Sequence, residues 1–213
     1  MTFLPAPEML AAFTAASLLL IITPGPDMTF FLSQTLAAGR ARGFAAMLGA
    51  CSGVVVHSML VAFGLSALLV ASATAFTIIK IAGAGYLVWL GIQAIRHGSA
   101  LTLKKGNGRK KSVSQVFLMG LGINLLNPKI VMFFLTFLPQ FVSVNDPYAG
   151  QKLMFFGLYA IALSIPICGA MILMADRFTG AMRRSPRAMR IFDWMFAGLM
   201  GGFALRLLFA RGN

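Results

Sequence analysis

Acid is what this chain has least of. Its 213 residues hold five Asp and Glu against eighteen Lys and Arg, with only two His and two Cys. No two acids are spaced as a general acid and base would be, no His/Glu pair has metal-ligand spacing, and no nucleophile has an evident base nearby, which argues against a membrane-embedded protease or lipid transferase. No resident metal or other cofactor is expected. Cys51 and Cys168 fall inside apolar runs and read as small packing side chains rather than as a disulfide or a metal pair. Charge of either sign is scarce: 11% of residues are charged, where soluble domains carry about a quarter. Residues Met1 to Glu8 contain no Lys or Arg and include an acid, so the basic leader of a cleaved signal is missing and the first apolar run reads as retained.

Apolar side chains fill the composition, at 59% with a mean hydropathy of +0.85, and mark an integral membrane protein. Runs long enough to cross a bilayer fall at 9–36, 43–70, 74–96, 114–139, 150–176 and 191–210. The expected fold is therefore all-α, with six transmembrane helices in one transporter domain over residues 1–213. Basic residues cluster in alternate loops: Arg40 and Arg42 in the first; Arg96, Lys104, Lys105, Arg109, Lys110 and Lys111 about the third; Arg177, Arg183, Arg184, Arg187 and Arg190 in the fifth. The positive-inside rule puts these loops in the cytoplasm and both termini in the periplasm. The third loop, about 97–113, lacks the aromatics that would interleave a nucleic-acid site, so anionic lipid headgroups are its expected partner and nucleic acid is not.

Two of the expected spans are broken by proline. Thr23-Pro24-Gly25-Pro26-Asp27 interrupts the first, and Asn124-Leu125-Leu126-Asn127-Pro128-Lys129 interrupts the fourth. Pro24 and Pro26 leave the carbonyls of Leu20 and Ile22 without their helical donors, and Gly25 loosens the chain between them. Such groups must be buried in protein or line a polar cavity at membrane depth. The breaks lie half a chain apart with three spans between their starts, so the two broken helices run in opposite directions. This arrangement predicts two inverted-topology three-helix repeats, about 1–96 and 114–213, with the binding site at the breaks.

Asp27 and Lys129 follow the two prolines directly. A charge near the bilayer centre costs roughly 2.5–3.5 kcal/mol, which favours a functional role for both. For Asp27 the structural alternative is a carboxylate in the first turn of a new half-helix; for Lys129 that position is unfavourable, since a cation meets the positive end of the dipole. The pair either touch each other or flank a zwitterion, with Asp27 taking an ammonium and Lys129 a carboxylate. Asn124 and Asn127 either bond the carbonyl freed by Pro128 or present amides to a ligand. His57, near the middle of the second span, is either a proton carrier or a histidine bonded to a backbone carbonyl. Gly49 with Gly53, and Gly198 with Gly202, have the spacing of close helix approach, within the chain or within a homo-oligomer.

Together these residues resemble the LysE/RhtB family of bacterial amino acid exporters. The resemblance rests on Thr23 to Asp27, on Arg42-Gly43, Gly64-Leu65 and Leu68-Leu69, on Lys80 to Gly83, Gly85-Tyr86-Leu87 and Leu90-Gly91, and on Asn127-Pro128-Lys129. It implies proton-driven efflux of amino acids or related metabolites across the inner membrane, with Pro24, Gly25, Pro26, Asp27, Asn127, Pro128 and Lys129 at the site. Because Asp176 and Asp193 sit near span ends, Asp27 is expected to be the single deep carboxylate, which favours neutral substrates such as threonine or homoserine over dicationic ones. The main alternative is a divalent metal-ion exporter, which would want several oxygen ligands where this chain offers one deep carboxylate beside a lysine. A purely structural role would make Asp27 and Lys129 dispensable for transport.

Overall fold

A computed structural model describes residues 5–65, 111–142 and 146–209, together with positions 81, 84–85, 88–89, 91–93 and 95–96. Among these there are helices and no strands. The expected third span lies largely outside the described residues, as do the stretch Lys80 to Gly83 for the most part and the basic loop from 97 to 110; the described positions between 81 and 96 are helical.

The first span is two helices, α1 (Pro7–Ile22) and α2 (Pro26–Ala38). Each begins with proline at its first position, where the missing N–H costs nothing and the fixed φ suits the helix. Prolines 24 and 26 end α1, and the axis turns by 50° across the break. Gly39, the one described residue with positive φ (91°), lets the chain turn from α2 into α3 (Arg40–Met59), which runs on through a π-helical turn at Leu60–Leu65. Arg40 donates to the Leu173 carbonyl at 3.0 Å, and Arg42 donates to the carbonyls of Ala38 (3.0 Å) and Lys111 (2.7 Å). Two of these carbonyls, on Ala38 and Leu173, are helix C-terminal ends, where cations are favoured.

The expected fourth span, like the expected first, is a broken pair of helices. Ser112 and Gln115 form a reciprocal capping box at the start of α4 (Val113–Leu125). After the break, Asn127 caps α5 (Pro128–Met132) by accepting the Lys129 N–H at 3.0 Å, and the helix continues through a π turn (Phe133–Phe137) and a 3₁₀ turn (Leu138–Phe141). This pair also bends by 50°. Asp146 precedes the next helix, accepting from the Tyr148 N–H and pairing with Lys152, ahead of α6 (Ala149–Leu173). Then come α7 (Ala175–Arg184) and α8 (Pro186–Phe209). Two of the described helices, Arg40–Gly64 and Ala149–Leu173, are long and apolar enough to cross a membrane, and four spans result if each bent pair is one.

The α3–α4 crossing is made by glycine. A Cβ on Gly49 would strike the Phe117 carbonyl, and one on Gly120 would strike the Ala46 carbonyl, so both backbones come into contact. Around Gly198 and Gly202 nothing described lies within 4 Å of such a Cβ. The core falls in two clusters on either side of the first break. One is aromatic, centred on Phe13, which packs edge-on to Phe141 (ring centroids 5.3 Å apart) and against Phe156 (4.6 Å). The other gathers Met28, Phe31, Leu32, Met47, Val116 and Ile172. One sequence expectation is corrected: Asp193 is 2% exposed, whereas Asp27 is only partly buried, so Asp27 is not the single buried carboxylate. Its helix begins at Pro186, earlier than the apolar run suggests, which carries Asp193 inside the packed bundle.

Candidate functional site

The two breaks face each other. Asp27, in the first turn of α2, accepts on Oδ2 from the side-chain amides of Asn124 (2.9 Å) and Asn127 (3.0 Å), both from the second break. Lys129, in the first turn of α5, reaches the other way and donates to the carbonyls of Leu20 (3.2 Å) and Thr23 (2.9 Å), at the end of α1. The orphan carbonyl created by Pro24 is thereby satisfied. The lysine also escapes the positive end of its own helix for the negative end of another. Each charged residue therefore holds the broken backbone or the amides of the opposite half. They do not form an ion pair with each other.

Gly25 is the contact point of this clasp. Its backbone is extended (φ −160°, ψ −178°), which any residue can adopt, but a Cβ there would lie 3.0 Å from Lys129 Nζ. Glycine is needed for room rather than for rotation. In the second break, the Asn124 carbonyl freed by Pro128 takes the Asn127 N–H at 3.0 Å and lies 3.4 Å from His57 Nε2. The side-chain amide nitrogens of Asn124 and Asn127 are left to Asp27. His57 is buried and stacks on Phe134, with ring centroids 5.6 Å apart. Gly53 gives Asn124 its place, since a Cβ on it would occupy the space of the asparagine side chain.

A cavity of about 100 Å³ opens between the breaks. Asp27, Lys129 and Asn124 line it, with Phe31, Phe133 and Phe134 among its apolar walls. Asp27 is the only carboxylate in that lining, and Cys51 and Cys168 are in it as free thiols. Two oxygens of the site are buried without a hydrogen-bond partner, Asp27 Oδ1 and Asn124 Oδ1. Buried oxygens rarely stay unpaired. The sequence reading passed over two serines that the cavity includes, Ser164, which donates to the Ala160 carbonyl, and Ser17, whose Oγ is likewise unpartnered. A serine in an apolar helix is unremarkable by itself; the available signal was its place three residues before Leu20 and seven before Pro24, on the face that the break interrupts.

A family model described as "LysE type translocator" matches residues 18–211, a range that contains both breaks and every residue of the clasp. This chain belongs to the LysE translocator family. Among its relatives are homoserine/homoserine lactone efflux proteins of Salmonella typhimurium and Salmonella typhi, each 31% identical over 88% of this chain and 90% of the relative. An uncharacterized membrane protein of Vibrio cholerae is 30% identical over 94% of this chain and 96% of its own length. No solved structure matches significantly. As a LysE translocator the chain is a membrane transport protein of the efflux kind, not an enzyme. The translocator's breaks and clasp lie within the matched range, as does every lining residue of the cavity but Ser17.

Proposed function

We propose that this translocator is a secondary exporter of neutral amino acids or close metabolites, driven by protons and taking its cargo between the two breaks. The observation that carries the reading is Asp27 Oδ1, a buried carboxylate oxygen without a partner on a cavity of amino-acid scale. A substrate ammonium on that oxygen supplies the missing donor. Lys129 uses two of its three N–H donors on Leu20 and Thr23, which leaves one for the substrate carboxylate. With a single carboxylate in the lining, a second positive charge on the substrate finds no anionic partner, which supports neutral side chains such as those of threonine and homoserine. The relatives named for homoserine efflux point the same way.

Coupling follows from exclusive occupancy. Asp27 holds either an ammonium on the outward passage or a proton on the return, and a buried carboxylate with neither is costly. In this reading the chain crosses the bacterial inner membrane six times in two inverted repeats, with the basic loops in the cytoplasm, and Pro24, Pro26 and Pro128 give the broken helices that line the path.

Efflux from cells preloaded with amino acids through dipeptide feeding tests the proposal, comparing native chain, Asp27→Asn and empty membrane at matched protein level. Faster loss of one or a few neutral amino acids with the native chain, abolished by the substitution, is expected. Equal rates in all three would reject amino acid export and turn the search to divalent cations.

A further inference from the structure

Five Ser and Thr residues of the described helices and their breaks are buried: Ser17, Thr23, Thr35, Ser58 and Thr179. Four of them donate to the carbonyl four residues back, on Leu19, Phe31, Val54 and Ala175, at 2.6 to 2.7 Å. That bond is how a hydroxyl usually survives inside an apolar helix. Ser17 does not make it. Its side chain is 1% exposed, its Oγ has no partner, and it lines the same cavity as Asp27. The cavity's lining also includes Leu20 and the rings of Phe133 and Phe134 from the aromatic cluster.

From these observations we infer that Ser17 is a specificity-determining residue, whose hydroxyl pairs with a hydroxyl on the side chain of the transported amino acid. The inference rests on the amino acid export reading above and adds to it the group that reads the substrate's far end. Position supports it. Ser17 lies six residues before Thr23, about 9 Å along the helix axis, whereas Asp27 lies beyond the break. Two hydrogen bonds of about 2.8 Å with a short carbon skeleton between them cover a length of that order. In this proposal a substrate with its ammonium on Asp27 carries its side chain toward Ser17, which lines the same cavity. The other two hydroxyls of the lining, on Thr23 and Ser164, are already bonded to the carbonyls of Leu19 and Ala160, so Ser17 is the one left to discriminate: an analogue ending in methyl leaves it unpaired, and a site built to bond a hydroxyl rejects such analogues strongly.

The test uses the full-length protein in vesicles and compares export of homoserine with that of norvaline, which replaces the hydroxyl by a methyl group. The native chain should favour homoserine, and Ser17→Ala should lower that preference by about tenfold or more, the effect of one hydrogen bond at ~1.4 kcal/mol per decade. Norvaline export should be unchanged or faster. Ser17→Ala should also melt no lower than the native chain, because it removes an unpaired buried hydroxyl; a structural role for Ser17 would lower the melting temperature and slow both substrates alike. Ser17→Cys, nearly the same size but a weak donor, should fall between. A preference ratio that Ser17→Ala leaves unchanged would overturn the inference while export stands. Absence of export of either substrate by the native chain would remove the export reading and this inference together.

Discussion

Asp27 and Lys129 are adjacent to their prolines in sequence and hold different partners in the fold, and this decides what substitutions at each should do. Asp27→Asn removes the charge but keeps a polar side chain beside Asn124 and Asn127. Transport should fall at least about 30-fold, the cost of ~2 kcal/mol or more for losing one partner of a buried charged contact, while membrane levels stay normal; initial efflux rates and immunoblots check this. Lys129→Met acts differently, since it strips two carbonyls of their donor. It should cost about 1–3 kcal/mol of stability as well as transport, seen as a lower melting temperature in detergent. Both charges were legible from sequence because a charged residue after proline inside an apolar run is a local signal. Their partners were not legible, because Asn124 is 97 residues from Asp27 and Leu20 is 109 from Lys129. For the same reason the sequence left His57 and the two asparagines with two roles each; in the fold the His57 ring nitrogen faces the Asn124 carbonyl and both amides face Asp27.

Helices were easier to read than their irregularities. The ends of α1, α2, α4 and α5 follow from proline, Gly25 and Asn127, which act within a turn. The π-helical turns at Leu60–Leu65 and Phe133–Phe137 carry no such mark, since Leu, Val and Phe are equally at home in a regular apolar helix. Gly49 and Gly53 were read as a close-approach face, and both pack on α4; Gly198 and Gly202 have the same spacing and no described atom against them, so spacing alone did not separate the two pairs. The α3–α4 contact yields a prediction at this scale. Gly49→Ala or Gly120→Ala drives a methyl into a backbone carbonyl that cannot rotate away, and each should cost about 1–3 kcal/mol. Thermal unfolding in detergent should show it, whereas Gly122→Ala, with open space around its Cβ position, should be neutral.

For the molecule as a whole, the proposed topology puts thirteen of eighteen basic residues on one side. A single cysteine introduced as Asn107→Cys, in a chain with Cys51→Ser and Cys168→Ser, should react with an impermeant maleimide only after the inner membrane is opened; labelling of intact spheroplasts would reverse the orientation. Two broken helix pairs were foreseen from prolines half a chain apart, and each pair bends by 50°. What sequence could not convey is that the halves hold each other: the charge of each reaches the break of the other, with a cavity and an unpaired carboxylate oxygen between. The account stands on that oxygen being the point where proton and substrate exchange. The most direct measurement is efflux of labelled homoserine or threonine from vesicles of purified protein, with an acid-outside pH gradient imposed or withheld. The native chain should accelerate efflux when the gradient is imposed, and Asp27→Asn should show neither the efflux nor the response. Native efflux indifferent to the gradient, or a response that persists in Asp27→Asn, would contradict it.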